Sequence, residues 1–287
     1  MSRDILKRPL LERFQLIDEF TMASEGHSLA HILAIRAVEQ VSSRPHLKRL
    51  YADYQKAVQS DVSFWESLVQ RLGLKLDFHG SHYDALPKEG PLVVVANHPF
   101  GILDGLIICW LVSRQRQDFK IMINHVMTRL PEMQPHILPV NFDKTPDALE
   151  TNLESRKAAK KHLESGGALI MFPAGGIATT PHFFSSAAVE PKWGALLGKL
   201  LKKTEAPVLP VFFGGQNSQL FQKVSHISYA ARWALLFHEV NRRRGSDIDL
   251  VVGEVMAFSD LPSGLPPKEL AMYLLHVTHD LSRRIKA

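Results

Sequence analysis

The chain has 287 residues, of which 45% are hydrophobic and 22% charged; that balance is ordinary for a globular protein and excludes a disordered tail, a collagen-like repeat and a coiled-coil rod. Its longest apolar stretch, 102–112, is broken by Asp104 and is shorter than the ~20 residues of a bilayer-spanning helix. The net charge of +5 and pI near 9.3 suit an anionic partner, whether nucleic acid, anionic lipid or an acidic carrier protein. The opening residues MSRDILKRPL contain no apolar run, so no secretory signal is expected. The single cysteine, Cys109, allows no internal disulfide and fits a reducing, cytoplasmic setting.

In chain order, the first 80 or so residues read as helical. Segment 27–41 carries Leu29, Ile32, Leu33 and Ile35, and segment 53–72 carries Tyr54, Val58, Val62, Trp65, Leu68 and Val69, both at helical spacing. Gly73 is placed to end the second segment as a left-handed cap. Gly80, Pro87, Gly90 and Pro91 then gather, and the chain divides there into an N-terminal helical region (1–84) and a main domain (85–287). Within the main domain Leu92-Val93-Val94-Val95-Ala96 is a β-branched run of the kind found in strands buried on both faces. Similar runs recur at 119–123, 137–140, 168–172, 208–213 and 248–252. Helical patterns fill 103–116, 148–164, 191–203 and 229–243, and a last helix follows Pro266-Pro267 over 268–284. Alternating strands and helices predict an α/β domain with a mostly parallel or mixed central sheet flanked by helices.

The segment Asn97-His98-Pro99-Phe100-Gly101-Ile102-Leu103-Asp104-Gly105 follows the first strand of this domain directly. Ligands of open α/β sheets bind beyond the carboxyl ends of strands, which is where His98 falls. A histidine there, with an aspartate about a turn downstream, fits a general base and the carboxylate that orients it. The same two residues would equally serve as a turn-packing histidine and a helix cap.

This segment resembles the first motif of the glycerolipid and lysophospholipid acyltransferase superfamily, and further blocks follow in the order of that family. Met171-Phe172-Pro173-Ala174-Gly175-Gly176 is similar to its Phe-Pro-Glu-Gly block, and Ala206-Pro207-Val208-Leu209-Pro210-Val211 to its apolar block with two prolines. Ile137-Leu138-Pro139-Val140-Asn141-Phe142-Asp143-Lys144 lies at the place of the acceptor-binding block. Asn217-Ser218-Gln219-Leu220-Phe221, with Arg232, Glu239 and Arg242-Arg243-Arg244-Gly245, looks like the hemolysin-labelled branch, whose members resemble O-acyltransferases acting on lyso-aminolipids. The likeness spans roughly residues 85–257. Two features depart from the common pattern: five residues rather than four separate His98 from Asp104, and Ala174 replaces the usual glutamate. Gly101, inside the longer spacing, can adopt the positive φ of a bulged turn.

The resemblance implies a fatty acyl transfer from acyl-CoA or acyl carrier protein to a lyso-lipid hydroxyl, with His98 as base and Asp104 as its orienting partner. It implies substrate contacts from Asn97, Pro99, Gly101, Gly105, Lys144, Phe172, Pro173, Ala174, Gly175, Gly176 and Arg232. Backbone N–H groups around 101–105 or 175–176 are the expected oxyanion donors. Neither a cofactor nor a metal is expected; the acceptor class implies a protein lying peripherally on the cytoplasmic membrane face. Phe14, Phe20, Phe64 and Trp65, with Lys48 and Arg49, are candidates for that contact, or else they pack the N-terminal helices onto the sheet. Asp143 beside Lys144 favours a zwitterionic or amino-acid-containing lyso-lipid over lysophosphatidic acid. A non-catalytic lipid-binding protein on the same fold and an acyl-thioester hydrolase are the alternatives.

Other chemistries find little support. There is no Gly-x-Ser-x-Gly elbow, Walker loop or Gly-x-Gly-x-x-Gly, and His238-Glu239 is followed by Arg242 where a zincin needs histidine. His27 and His31 share a helix face but are read as surface residues. Arg242-Arg243-Arg244 closes a helix, where cations meet the macrodipole favourably. Nucleic-acid binding is not expected.

Overall fold

The computed structural model describes residues 63–80, 84, 86–125, 127, 132–143 and 145–285. The expected helix over 27–41, the His27/His31 pair, Phe14, Phe20, Lys48, Arg49 and Lys144 lie outside the described residues.

Helix α1 (Phe64–Leu72) starts at Ser63, whose hydroxyl accepts from the Glu66 N–H at 3.2 Å, and ends at Gly73, left-handed at φ 62°. Trp65, at 4% exposure, packs against Phe119 and His136. It belongs to the core, as does the partly buried Phe64 packed on it, so neither aromatic is offered to a membrane. The helical expectation up to residue 80 gives way at Lys75. The segment β1 (Lys75–Gly80) is a strand that runs parallel to β7 (Asp247–Val252). Its charged residues Lys75 and Asp77 alternate with Leu76 and Phe78, a pattern suited to a sheet edge with one face buried. The sheet therefore begins ahead of the boundary expected at residue 85.

The remaining strands fall where the apolar runs predict them: β2 (Leu92–Ala96), β3 (Phe119–Asn124), β4 (Ile137–Val140), β5 (Ala168–Met171) and β6 (Val208–Phe213). They form a seven-stranded sheet in the order β1-β7-β6-β2-β5-β3-β4. Every pairing is parallel except β6 with β7, which is antiparallel. The helices are α2 (Ile102–Ser113), α3 (Pro146–Glu164), α4 (Ala195–Thr204), α5 (Gln219–Ser225), α6 (Tyr229–Arg242) and α7 (Pro267–Asp280). The short α5, capped by Ser218, is too brief to show a helical period in sequence.

Strand β2 shows how the layers form. Leu92, Val94 and Ala96 enter one core with α1 and α2, while Val93 and Val95 enter another with α3, α4 and α7. Alternate side chains of a strand point to opposite faces, so a strand buried on both faces must be apolar throughout. Helix α2 is apolar on all sides because nearly all of it is buried.

The amino-terminal edge of the sheet is closed by one buried cation. The Arg116 guanidinium donates to both Asp118 oxygens, each at 2.7 Å, and to the carbonyls of Gly90 (2.9 Å) and Gly166 (2.8 Å). This holds together the turns that enter β2, β3 and β5. The arginine contact also holds the Asp118 carboxyl below its ordinary pKa.

Candidate active site

Strands β2, β3, β4 and β5 all run in the same direction, so their carboxyl ends share one edge. A cavity of about 600 Å³ opens there. His98 reaches it from the end of β2, Met122, Ile123 and Asn124 from β3, Val140 from β4, and Met171 and Phe172 from β5. Leu196 and Leu197 of α4 and Arg232, Trp233 and Leu236 of α6 complete much of the wall. The lining is apolar apart from His98, Asn124, Arg232 and exposed backbone, a composition suited to a hydrocarbon chain with one polar end.

His98 Nδ1 lies 2.9 Å from Asp104 Oδ2. The same oxygen accepts the N–H groups of Phe100 (2.8 Å) and Gly101 (2.9 Å). The long spacing is absorbed at Gly101, where φ is 84°, and α2 starts immediately afterwards with Asp104 in its first turn. A β-carbon at Gly101 would lie 2.7 Å from Ile177 Cδ1 and 3.0 Å from Leu236 Cδ2. Only glycine fits both the backbone and the space. With Nδ1 donating to a carboxylate, the tautomer is fixed and Nε2 carries the lone pair. The ring itself stacks on Phe172, with centroids 4.1 Å apart.

Asp104 is fully buried, and its Oδ1 has no hydrogen-bond partner among the described residues. Arg243 stands behind the turn, its guanidinium 4.0 Å from the centre of the Phe100 ring and its Nη2 donating to Gln216 O at 2.6 Å. Burial lowers the Arg243 pKa, with the neighbouring Arg242 charge adding to the shift and Glu239 and Asp104 opposing it. The arginine triplet does close α6, yet its middle member is packed behind the His98–Asp104 turn; nothing in the local sequence distinguishes it from its neighbours.

Of the residues expected at the site, His98, Gly101, Phe172, Pro173, Gly175, Gly176 and Arg232 line the cavity. Four others do not. Asn97 is buried and fully occupied: its amide donates to Phe213 O at 2.9 Å and accepts from Phe213 N at 2.7 Å, joining β2 to β6. Pro99 is buried in the turn. Gly105 lies within α2, where a β-carbon would meet Ile123 at 3.5 Å. Ala174 packs against the second core, which leaves no carboxylate at the place of the family's glutamate. Asp143 is exposed and absent from the lining. Among the expected oxyanion donors, the Gly101 N–H serves Asp104, the Gly105 N–H serves Gly101 O within the helix, and the Gly175 N–H serves Phe172 O. The turn's hydrogen bonds do not use Gly176. The sequence reading missed Met122, Ile123, Met127, Leu196, Trp233 and Leu236. Met122 and Ile123 could have been found from their place at the carboxyl end of a predicted parallel strand.

Comparison with known proteins supports an acyltransferase. A family model described as Acyltransferase matches residues 75–214, beginning at the first residue of β1, and the chain is similar to members of the glycerolipid and lysolipid acyltransferase superfamily. It is 25% identical over 230 residues to the lyso-glycine lipid O-acyltransferase of Bacteroides thetaiotaomicron, covering 77% of this chain and 80% of that one. It is 23% identical to the protein of the same description from Phocaeicola vulgatus, over 77% and 78% of the two chains. Among solved structures, the 1-acyl-sn-glycerophosphate (LPA) acyltransferase PlsC of Thermotoga maritima aligns with a TM-score of 0.48 at 20% identity, over 78% of each chain.

Proposed function

We propose that the protein transfers a fatty acyl group from an acyl-CoA or acyl carrier protein thioester to the hydroxyl of a lyso-aminolipid of the glycine type. The observation that carries this reading is the His98–Asp104 pair, 2.9 Å apart, on the wall of an apolar cavity. His98 Nε2 takes the acceptor hydroxyl proton as that oxygen attacks the thioester carbonyl. The C–O bond forms, the tetrahedral intermediate collapses with loss of the C–S bond, and the imidazolium returns the proton to the departing thiolate. Asp104 holds the ring and offsets its transient charge. The thioester is already activated, so no covalent acyl-enzyme is required. The Gly176 N–H, in the cavity wall, is the candidate donor to the oxyanion.

Arg232 gives the cavity a cationic end; its Nη2 also donates to Ile177 O at 2.9 Å. A guanidinium suits a carboxylate, and a glycine acylated on nitrogen keeps only its carboxylate charge. Lysophosphatidic acid presents a more highly charged phosphate, and among the described residues the lining holds no second lysine or arginine to meet it. The acceptor resides in a bilayer, and no described helix is long and apolar enough to cross one; the protein is therefore proposed to work peripherally, on the cytoplasmic face. Purified protein given one acyl thioester and equal amounts of lyso-glycine lipid and lysophosphatidic acid should acylate the glycine lipid faster, as read by mass spectrometry of the diacyl products. Faster acylation of lysophosphatidic acid would reverse the acceptor assignment, and thiol release without either ester would make the protein a thioesterase.

A further inference from the structure

A loop at the rim of the cavity carries an exposed apolar surface that the chemistry above does not use. Antiparallel bonds between Thr179 and Val189, at 3.2 and 2.9 Å, close the loop. Its tip holds Phe183 and Phe184 edge to face, with centroids 5.1 Å apart, and Phe184 is 91% exposed. The tip is firmly held. Thr180 N donates to the buried Gln222 Oε1 at 3.0 Å, Thr180 Oγ1 pairs with His226 Nε2 at 3.0 Å, and Gln216 and Gln219 both donate to Ser186 O. Alongside, Ile227 is 73% and Leu220 55% exposed. Phe183 lies 6.3 Å from the His226 ring.

The charge of this region is one-sided. Residues 174–189 and 214–238 contain no aspartate or glutamate, while exposed Lys223, His182 and His226 stand among the apolar side chains. The patch is also continuous with the cavity: Ile177 at the base of the loop and Arg232 just beyond Ile227 both line it. A held pair of aromatics beside Lys223, on segments that carry no carboxylate, has the make-up of an interfacial anchor for anionic lipid.

We propose that the Phe183-Phe184 loop, with Ile227 and Lys223, docks on an anionic bilayer and sets the cavity mouth against the leaflet, so that the lyso-lipid enters without crossing water. This rests on the acyltransferase reading above. Phe183 and Phe184 are outside the cavity lining, so their loss should separate membrane docking from chemistry.

The test uses the full chain and vesicles of phosphatidylcholine with and without phosphatidylglycerol. Wild-type protein should float with the anionic vesicles and be released as salt rises. The F183S/F184S variant should lose about tenfold or more in partition, from the apolar burial of two phenylalanines. K223E should weaken the preference for anionic vesicles. Turnover of a short-chain, water-soluble lyso-lipid should be unchanged in both variants. With a photoreactive benzoylphenylalanine in place of Phe184, irradiation on vesicles should capture lipid. Flotation of F183S/F184S equal to wild type overturns the proposal, as does capture of residues 1–62 or of a second copy of the chain. Absence of turnover by wild-type protein on the soluble acceptor would instead strike the acyltransferase reading and leave the docking result standing.

Discussion

The two edges of the central sheet each carry a buried charged cluster, and they are built to opposite plans. At the amino-terminal edge Arg116 donates to two carboxylate oxygens and to the carbonyls of Gly90 and Gly166. His162 Nε2 stands 3.0 Å from both Asp118 O and Ala168 O. A β-carbon on Gly167 would lie 2.3 Å from the His162 ring. These polar groups are consumed by one another, which is what a structural clamp requires. At the carboxyl edge Asp104 accepts three donors on a single oxygen and leaves the other unsatisfied. His98, fixed through Nδ1, lines the cavity. Polar capacity held in place but left unspent is the mark of a site meant for a reacting group.

This contrast predicts that substitutions at one edge cost turnover and at the other cost stability. The largest effect is expected for His98→Ala, with a loss of ~10²–10⁴-fold in kcat and an unfolding midpoint close to wild type. Asp104→Asn should follow at about 10²-fold or more. The amide oxygen can still take the Oδ2 position and accept from His98 Nδ1–H and the Phe100 and Gly101 N–H groups, but it is neutral, so the imidazolium that forms at His98 loses its charged partner. If Asp104→Asn keeps wild-type kcat/KM, the carboxylate is only a helix cap. Gly101→Ala should damage both properties, since it imposes a strained φ at a cost of ~1–3 kcal/mol and drives a methyl group into Ile177.

At the other edge, Arg116→Met leaves the Gly90 and Gly166 carbonyls without their donor. Each orphaned group costs about 1–3 kcal/mol, so the midpoint should fall by several degrees while kcat per folded molecule holds. A collapse of kcat in the folded fraction would break the division between the edges. The smallest effect concerns pH. Burial lowers the His162 and His136 pKa values from their ordinary range, so the folded state binds fewer protons than the unfolded chain. The stability this represents is complete above about pH 6.5 and is lost as pH falls through the lower folded values. Thermal melts should show it, and His162→Gln, a neutral donor, should flatten the decline.

Much of this architecture is legible in the sequence. Strands on β2, β5 and β6 are buried on both faces, so their sequences are unbroken apolar runs with no other explanation. β1 escaped because an edge strand buries one face only, and Lys75-Leu76-Asp77-Phe78 directly after a helix cap resembles more helix. His98, Asp104 and the role of Gly101 were legible because the constraint is local: seven positions of chain, 98–104, contain the base, the carboxylate and the turn. The rest of the cavity wall was not, since Met127, Leu196 and Trp233 come from separate segments and each is an ordinary apolar residue in its own. Asn97 shows the converse error, where proximity to His98 in sequence suggested substrate contact while its amide is spent on Phe213.

The central claim is that the carboxyl-edge cavity couples thioester cleavage to ester formation through His98. The most direct test measures thiol release and lyso-lipid acylation together, in wild-type protein and in His98→Ala. The account predicts one thiol for each ester in the wild type, no acylated protein by intact mass, and neither product above background in the variant. Thiol and ester still formed in step by a folded His98→Ala protein would contradict it.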